Sequence, residues 1–512
     1  MRTLLVVSAV LLAACSGNKP AGGGGGGTFA GGGTFAAGGG FVTAAGGGSA
    51  IGGGSAVGGG SAIGGGSAVG GGSAIGGGAA VGGGAAAGGG AAVGGGSAAG
   101  GGSSVGPATV DAIDFSYPDV VVDSAGVTHA VFTAFSLSNA PQSSVFYARC
   151  PGNCVDLNNW TLLVIDTYGD FGGHSQIALG TAGDLHLLYT REGTNSVMVY
   201  GHCTQADCAQ QGAWTTLERP LGGGFMVPYD SHVLAVDSNN KPAFLVITSG
   251  SPSDVWWESC TGADCLQAAS WSETNIQKGG NRFNLGYDGV TPYMAYTDLD
   301  SSTAGVATCS TNCLDPLNWS RIEPMYWGPN AGFNSISMAV AGGVIHIALN
   351  QGATPSTVPA NVKANDNTLQ YWTCPGNCMM GASWAGVILA PDQGGYGVDL
   401  KLTPAGGLAL ATASISDSEV RVCPGNCTTA TWTGGHLDSL TELEAFRPAK
   451  MSAPCGGSSA YQASWYPSKG HALAVHGNVL TMLYGTKLLY DCDVGGTYHS
   501  MGGPGRFFAV PY

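Results

Sequence analysis

The sequence has little charge, and positive charge is especially scarce. Only 17 of its 512 residues are Lys or Arg, against 32 Asp or Glu, and the formal net charge at pH 7 is −15. A chain this poor in basic residues is badly suited to phosphate backbones and to anionic lipid surfaces. We therefore predict that nucleic acid is not a partner. An acidic surface also keeps exported proteins soluble, so the charge by itself does not indicate cation binding.

Beyond its amino terminus the sequence also lacks long apolar runs and recognised catalytic motifs. No stretch approaches the roughly 18 consecutive apolar residues of a membrane-spanning helix. No Ser-His-Asp spacing, phosphate-binding loop or paired-carboxylate motif is found either. On these patterns we predict no cofactor and no metal.

Residues 1–14 have the pattern of a lipoprotein signal peptide. Arg2 precedes an apolar run, Leu4–Leu12, and two alanines then lead to Cys15. This end of the run resembles the bacterial lipobox, whose cysteine is lipidated and begins the mature protein. We predict that Cys15 is lipidated, that residues 15–20 form the lipidated amino terminus, and that lipid holds the protein to a membrane. An Asp directly after the lipidated cysteine would indicate retention in the inner membrane, whereas Ser16 stands there and favours the outer membrane or cell surface. The alternative to a lipoprotein signal is an ordinary secretory signal peptide that happens to contain a cysteine.

Residues 21–106 are a low-complexity segment of Gly, Ala and Ser with a periodic Val or Ile, as in the hexapeptide Gly52–Val57. Such a composition buries too little apolar surface to offset chain entropy. The segment is predicted to be a disordered tether with a reach on the order of 50 Å. The alternative is that the regular Val or Ile lets several chains pack into a glycine-rich layer.

A cysteine pair followed by a tryptophan recurs six times between residues 150 and 432. Copies lie about 40 to 65 residues apart, a period typical of repeat and propeller folds. The copies are Cys150 and Cys154 with Trp160, Cys203 and Cys208 with Trp214, Cys260 and Cys265 with Trp271, Cys309 and Cys313 with Trp319, Cys374 and Cys378 with Trp384, and Cys423 and Cys427 with Trp432.

The cysteine count agrees with an oxidised, exported domain. Of 15 cysteines, one is Cys15, and the others form the six local pairs plus Cys455 and Cys492. Zinc sites usually need four ligands, with two residues between paired cysteines, whereas three or four residues separate the paired cysteines here. We predict six disulfides, each bracketing the hairpin turn between third and fourth strands so that its two cysteines face each other across the hairpin. A seventh is predicted between Cys455 and Cys492, and the tryptophans are expected at interfaces between repeats.

Each repeat has the pattern of four short strands. In the first, Tyr117–Asp123 and His129–Phe135 are β-branched or alternating runs that flank a Ser-Ala-Gly turn. Seven such units follow one another. We therefore predict an all-β fold over residues 107–512, a seven-bladed propeller of four-stranded antiparallel blades. In the last unit, Lys487–Asp491 is expected to be the third strand and Arg506–Val510 the fourth. Ala108–Phe115 is expected to close the ring, either by pairing with Arg506–Val510 as an extra outer strand or by covering that edge.

Two stretches, YPDVVVDSAGVTHAVFTA and SHVLAVDSNNKPAFLVIT, resemble blades of sialidase-like, Asp-box (BNR-repeat) propellers from about Phe115 to the carboxyl end. The disulfide turn and its tryptophan take the place of the Asp-box, which is missing. Catalytic members of that family need an arginine triad, a tyrosine nucleophile with a glutamate, and an acid/base aspartate. None of these is found. The one partial match is the Phe-Arg-Pro sequence Phe446–Pro448, which lies late in the chain and not at the start of the propeller. The resemblance therefore implies the fold and not the activity.

Candidate ligand-binding residues lie where first strands begin and second strands end, because the loops there emerge on one face. Polar residues at the starts of first strands could bind a metal or polarise a substrate, or could simply be hydrogen-bonded around a wet channel. His129, His186 and His346 begin second strands and are expected to belong to the repeat itself. The candidates are Tyr117, His174, His232, Asn284, Asn334 and His471 at strand starts, and Tyr168, Tyr229, Trp327, Tyr396 and Trp465 in or beside the loops.

From these observations we predict a lipid-anchored propeller of the bacterial cell envelope that binds glycans without catalysis. Aromatic rings among amide and acidic side chains suit sugars. The alternatives are a sialidase-like glycoside hydrolase and a scaffold for another envelope protein. Paired carboxylates about 5–10 Å apart would favour the hydrolase.

Overall fold

The computed structural model divides the chain into two compact units, Met1–Gly106 and Pro107–Tyr512. In the first unit it describes only short strands between residues 43 and 93. In the second it describes residues 108–110 and 115–512, except for 137–141, 169–173, 192–196, 221–224, 227–230, 249–252, 281, 299–302, 327–331, 353–367, 391–394, 415–416, 440–461 and 492–498. No helix in these ranges is long and apolar enough to cross a membrane.

The described residues of the glycine-rich unit form nine strands of two or three residues in two parallel sheets. Within each sheet a strand pairs with the next one, twelve residues further on, as in Val57 with Val69, so two hexapeptides complete one coil. These strands pair backbone groups within one chain. They do not test the predicted tether, which stays a prediction. The strands are β1 Thr43–Ala45, β2 Ser49–Ile51, β3 Ser55–Val57, β4 Ser61–Ile63, β5 Ser67–Val69, β6 Ser73–Ile75, β7 Ala79–Val81, β8 Ala85–Ala87 and β9 Ala92–Val93.

The second unit is a seven-bladed propeller, as predicted. Each blade is an antiparallel sheet, and the first strands contact one another in sequence around the axis until the seventh meets the first. Blades one to three comprise β11 Phe115–Val122, β12 Thr128–Ser136, β13 Gln142–Cys150 and β14 Thr161–Tyr168; β15 Ser175–Leu179, β16 Leu185–Arg191, β17 Val197–Cys203 and β18 Thr215–Pro220; and β19 Phe225–Met226, β20 Leu234–Val236, β21 Pro242–Thr248, β22 Asp254–Cys260 and β23 Trp271–Lys278.

The remaining blades follow the same plan. Blades four to six comprise β24 Arg282–Asp288, β25 Thr291–Asp298, β26 Thr303–Cys309 and β27 Trp319–Tyr326; β28 Gly332–Ala341, β29 Val344–Gly352, β30 Leu369–Cys374 and β31 Ala385–Ala390; and β32 Gly395–Leu402, β33 Leu408–Ser414, β34 Asp417–Cys423 and β35 Thr433–Ser439. Blade seven comprises β36 Gln462–His476, β37 Val479–Asp491, β38 His499–Pro511 and, from the start of the unit, β10 Ala108–Val110.

The predicted closure is confirmed, because β10 pairs antiparallel with β38 through Ala108 with Phe507 and Val110 with Gly505. The strand assignment within blade seven was wrong. Lys487–Asp491 was predicted as the third strand, but it continues the second strand past a bulge at Gly485. Arg506–Val510 therefore lies in the third strand, and β10 fills the outermost place.

The six local disulfides form as predicted, with Cα–Cα distances of 5.5–6.0 Å. They lie in the connections between third and fourth strands, and Asn153, Asn312 and Asn377 take up left-handed backbone just before the second cysteine. Cys455 and Cys492 lie outside the described residues, so their pairing stays a prediction. The bonds join Cys150 to Cys154, Cys203 to Cys208, Cys260 to Cys265, Cys309 to Cys313, Cys374 to Cys378, and Cys423 to Cys427.

The position of the second cysteine in each pair was predicted wrongly. Each first cysteine ends a third strand, but each second cysteine lies in a turn of the connection, and the fourth strand begins only six or seven residues later. The residue that faces the first cysteine across the hairpin is therefore not its disulfide partner. Cys260 faces Trp271 and Cys309 faces Trp319. The second cysteines, which lie in turns rather than across the hairpin, are Cys154, Cys208, Cys265, Cys313, Cys378 and Cys427.

The physical reason is a further turn between the second cysteine and the fourth strand. Four of the six connections form a single 3-10 turn there, which takes up the residues that the sequence reading had assigned to a direct hairpin. The bridge consequently closes a small loop at the end of one strand and does not cross-link two strands. The 3-10 turns are Leu157–Asn159, Ala268–Ser270, Pro316–Asn318 and Gly381–Ser383.

Each repeat tryptophan ties its disulfide turn to a blade interface. In all six copies the indole N–H donates to the carbonyl of the second cysteine, at 2.7–3.0 Å between nitrogen and oxygen. The ring also packs on the preceding blade, as in Trp214 with Tyr147 at 5.3 Å between centroids. Trp160 closes the circle against Phe507 of blade seven at 5.0 Å. The predicted interface role is confirmed for these rings.

Candidate functional site

The first strands begin around a polar cavity of about 40 Å³ at the propeller axis, which we call the axial pocket. It lies on the face where first strands start and second strands end, and we call this the loop face. The opposite face carries the disulfide turns and is called the turn face. The pocket is lined by Tyr117, Pro118, Asp119, His174, Ser175, Gln176, Ser231, His232, Ser335, Gly397, Val398 and His471.

Four of the six residues predicted to ring the axis line this pocket, namely Tyr117, His174, His232 and His471. Asn284 does not, because it is buried between blades and its amide donates to Ser337 Oγ at 3.4 Å. The side chain of Asn334 lies outside the described residues. A position at the start of a first strand therefore predicts that a residue lies near the axis. It does not distinguish residues that line the pocket from residues buried between blades.

The loop candidates are not placed by the structure. Tyr229 and Trp327 fall outside the described residues, as does Phe446–Pro448. Tyr168, Tyr396 and Trp465 belong to described strands, but their side chains are not described. Their roles remain predictions.

Backbone geometry at the pocket is unusual for two of its aromatic residues. Tyr117 and His174 have φ of 48° and 51°, in the left-handed region that bulky side chains rarely occupy. The two rings face each other across adjacent blades with centroids 4.2 Å apart. A bulge also precedes Asp119 in β11, and bulges recur at the starts of the first strands of blades five, six and seven. Strained backbone of this kind concentrates at functional sites and aims side chains towards the axis.

Polar side chains of the first strands join each blade to the next. Asp119 accepts from the Ile177 amide at 2.9 Å, and Asp399 accepts from the Leu473 amide at 2.7 Å. The polar residues around the axis therefore also hold neighbouring blades together. Other side chains that accept backbone N–H groups in the same way are Gln176 from Val233 and Leu234, Ser231 from Phe283, Ser335 from Val398 and Ser337 from Leu400.

The sequence did not lead us to predict the charged residues that take part in these contacts between blades. Asp119 and Asp399 occupy the same place in blades one and six, two residues after Tyr117 and Gly397. Lys401 joins them, with its ammonium 2.9 Å from Asp399 Oδ1. The signal in the sequence was that both aspartates lie two residues after a residue at the start of a first strand. This signal is easily missed, because an acidic residue within a β-branched run reads as an ordinary strand residue.

The charged groups at the axis influence one another's pKa. Burial raises the pKa of Asp119, while His232 and Lys401 act in the opposite direction. Burial alone would lower the pKa of Lys401, but the carboxylates of Asp399 and Asp119 raise it. The Lys401 side chain is 36 % accessible although protein surrounds it, as expected inside a channel. The ammonium thus partly offsets the two carboxylates beside the pocket.

Two pocket histidines are held in the neutral form. Burial lowers the pKa of His174 to about 3, with Arg282 adding to the effect. Burial also lowers the pKa of His471 to about 3, although Asp399 opposes it. His471 is 2 % exposed, stacks on Tyr484, and neither ring nitrogen has a hydrogen-bond partner among the described residues. A Cβ added at Gly397 would lie 2.5 Å from His471 Nδ1, so only glycine leaves room for this ring.

These neutral histidines predict that the protein loses stability in mild acid. Their ordinary pKa of about 6.5 applies to the unfolded chain, which therefore takes up protons below that pH while the folded chain does not until about pH 3. The stabilisation is complete above about pH 6.5 and is lost as the pH falls. Between pH 7 and pH 5 we expect each histidine to remove about 2 kcal/mol from the free energy of unfolding.

The measurement is denaturant unfolding of the wild type and of His471→Gln at both pH values. The variant is expected to lose about 2 kcal/mol less than the wild type over this interval. An identical pH dependence in the two proteins would contradict a neutral, buried His471.

The second-strand histidines form a repeated pair with a third-strand tyrosine. The three tyrosines are those that pack against the tryptophan of the following blade. These histidines thus support the blade interface. The contacts join His129 Nδ1 to the Tyr147 hydroxyl at 2.6 Å, His186 to Tyr200 at 2.8 Å and His346 to Tyr371 at 2.7 Å.

Comparison with known proteins finds similarity only to solved structures, at low sequence identity. No family model matches the chain, and no curated protein is similar to it in sequence. A protein of unknown function from Dyadobacter fermentans superposes with a TM-score of 0.40 and 10% identity, covering 80% of this chain and 99% of its own. The polysaccharide lyase Uly1 superposes with a TM-score of 0.41 and 10% identity, covering 77% of this chain and 89% of its own. A Trypanosoma rangeli sialidase superposes with a TM-score of 0.35 and 11% identity, covering 75% of this chain and 72% of its own.

Proposed function

We propose that the propeller is a non-catalytic carbohydrate-binding module and that a sugar enters the axial pocket from the loop face. The observation that carries the proposal is His471. Its ring is buried, neutral and without a hydrogen-bond partner among the described residues, although it lines a polar cavity. Leaving a buried polar group unpaired costs roughly 1–3 kcal/mol, so a ligand or water that pairs with it is favoured.

The chemistry of the pocket suits hydroxyl groups. A neutral imidazole offers one donor and one acceptor, as each sugar hydroxyl does. Ser175, Gln176 and Ser231 add neutral polar groups, and the Tyr117 ring adds an apolar face.

The size of the pocket indicates how much of a ligand it can hold. A single water needs roughly 10–15 Å³ of such volume, so about 40 Å³ admits a hydroxymethyl group or one edge of a sugar ring. The rest of the ring would lie outside, against the loop face. We therefore propose recognition of a terminal sugar residue rather than an internal one.

Binding is favoured over hydrolysis because the axial carboxylates are already engaged. Asp119 accepts two backbone N–H groups, from Val120 and Ile177, and Asp399 accepts from Leu473 and contacts Lys401. A glycosidase needs one carboxyl group as acid and a second as base or nucleophile. Carboxylates committed to blade contacts are poorly placed for proton transfer or attack.

We also propose that the module acts at the bacterial cell envelope, anchored by a lipid on Cys15. Support comes from the lipobox-like sequence and from six disulfides, which persist in oxidising compartments. A position on the cell surface would give the module access to extracellular glycans.

The test is a glycan array with the mature chain, followed by titration calorimetry on each glycan retained. His471→Gln is expected to weaken binding about fivefold, because one hydrogen bond contributes about 1 kcal/mol and the glutamine cannot reproduce the imidazole geometry. His346→Gln is the matched control, since His346 is also neutral but lies in a second strand away from the pocket.

Equal affinity of His471→Gln and wild type would remove the axial pocket as the binding site. Turnover of a chromogenic glycoside would instead favour the hydrolase. Retention of an envelope protein with no glycan bound would favour the scaffold.

A further inference from the structure

A second cluster of polar side chains lies in blade two, towards the turn face. Asp184 immediately precedes β16, His186 lies in β16, and His202 lies in β17 beside Cys203. The register pairs His186 directly with His202 across the two strands. One ligand atom from each of the three residues lies within 4.8 Å of the others. A carboxylate and two imidazoles are a donor set suited to a divalent transition metal.

The atoms of the cluster are buried and incompletely paired. Asp184 Oδ2 lies 2.5 Å from His202 Nε2 and 3.2 Å from His186 Nε2. His186 is 1 % exposed, and neither its Nε2 nor Asp184 Oδ1 makes a hydrogen bond within the described part of the chain. His186 Nε2 is thus a buried ring nitrogen that lies beside a carboxylate without a hydrogen bond to it.

Surrounding groups orient the three side chains as outer-shell groups do in metal sites. His186 Nδ1 is 2.8 Å from the Tyr200 hydroxyl, which leaves Nε2 as the free coordinating atom. Asn240, from a turn of blade three, donates to Asp184 Oδ2 at 2.8 Å. A Cβ at Gly180 would lie 2.2 Å from Asp184 Oδ1, so this glycine leaves room for the carboxylate.

The other blades provide an internal comparison. Blade one has the same histidine–tyrosine pair and an aspartate, His129 with Tyr147 and Asp123, but Arg149 stands where His202 would be. An arginine there would repel a cation. In blade five, Thr373 stands in the same place beside its own histidine–tyrosine pair. The pair therefore belongs to the fold. Blades one and two share the nearby carboxylate, and the second imidazole is particular to blade two among these three.

We propose that Asp184, His186 and His202 bind one Zn²⁺. Two neutral imidazoles and one carboxylate leave a fourth tetrahedral position. The His202 side chain is 21 % exposed, so that position faces solvent and can hold water. The ion would link β16 to β17 and, through Asn240, hold blade two against blade three. This site is separate from the axial pocket and does not depend on the proposed sugar ligand.

The test uses the full mature chain, stripped with chelator and dialysed against equimolar ZnCl₂. Elemental analysis is expected to find one Zn²⁺ per chain in the wild type and in His346→Gln, the control that keeps the cluster intact. His202→Ala is expected to bind roughly 100-fold more weakly, since even outer-shell changes cost 10–100-fold. Zn²⁺ should raise the thermal midpoint of the wild type and not that of His202→Ala.

A second pair of variants separates metal binding from folding. Tyr200→Phe keeps the ring that packs on Trp271 but removes the hydroxyl on His186, and it should weaken Zn²⁺ binding about tenfold. Tyr371→Phe makes the same change in blade five and should leave Zn²⁺ binding unchanged. Absence of stoichiometric Zn²⁺ in the wild type, or equal affinity in wild type and His202→Ala, overturns the proposal and leaves a histidine–aspartate ion pair.

Discussion

Replacing Arg506 with methionine is expected to lower the free energy of unfolding by about 3–5 kcal/mol. Arg506 lies in β38, where its Nε and Nη2 donate to the two carboxylate oxygens of Asp438 at 2.9 and 2.8 Å. Asp438, in β35 of blade six, also accepts from the Tyr484 hydroxyl. Both members of the ion pair are 1 % exposed. Without the guanidinium, a buried carboxylate would lose its counter-ion and two of its donors.

Chemical denaturation of the two proteins at pH 7 measures the effect. Arg191→Met is the solvent-exposed control. Arg191 donates through Nε to Asp166, which also accepts from Tyr189, and its Nη1 donates to Glu218. Its side chain is 28 % exposed. A pair that solvent reaches is expected to contribute about 0–1 kcal/mol. The double variant Arg506→Met, Asp438→Asn should recover part of the loss, since no buried charge remains unpaired. Equal losses for Arg506→Met and Arg191→Met would show that burial does not set the cost.

Deleting residues 107–114 is expected to cost a few kcal/mol and to lower the thermal midpoint by several degrees. The deletion removes β10 and the pairing of Ala108, Thr109 and Val110 with β38. Blade seven would then have three strands and an open edge next to blade one. An exposed edge strand also invites association between molecules. Light scattering during the melt is therefore expected to rise earlier for the deletion than for the wild type.

The control is deletion of residues 99–106, which shortens the chain by the same length without touching a described strand. It should melt with the wild type. If the deletion of 107–114 also melts with the wild type, blade seven is stable without its outer strand.

Much of the fold could be predicted from the sequence because each blade repeats local signals. The cysteine pair and the following tryptophan lie within about 10 residues of one another, so the bridge and the interface ring follow from short-range rules. The place of the second cysteine did not follow, because a 3-10 turn after it, such as Leu157–Asn159, has no distinctive sequence. Ring closure was predictable, because an unpaired alternating segment at one end must meet an unsatisfied edge at the other. Blade seven was misassigned since nothing in Leu483–Leu489 marks that the strand continues past its bulge.

The candidate site was less predictable because it is assembled from different blades. Strand starts placed His174 and His471 at the axis, but their neutral state depends on burial that only the closed ring creates. Asp119 and Asp399 bond to backbone 58 and 74 residues away, a distance at which no local pattern operates. The blade-two cluster likewise depends on the strand register that brings its two histidines together.

The closure also determines where mechanical load enters the propeller. The chain before Ala108 leads directly into β10, which is held to the rest of its blade through three residue pairs with β38. A pull on the amino-terminal segment therefore stresses this short strand before any complete blade. The six local disulfides lie in other blades and bear none of that first load. Resistance to tension would be limited by three pairs of residues, however stable the propeller is to heat.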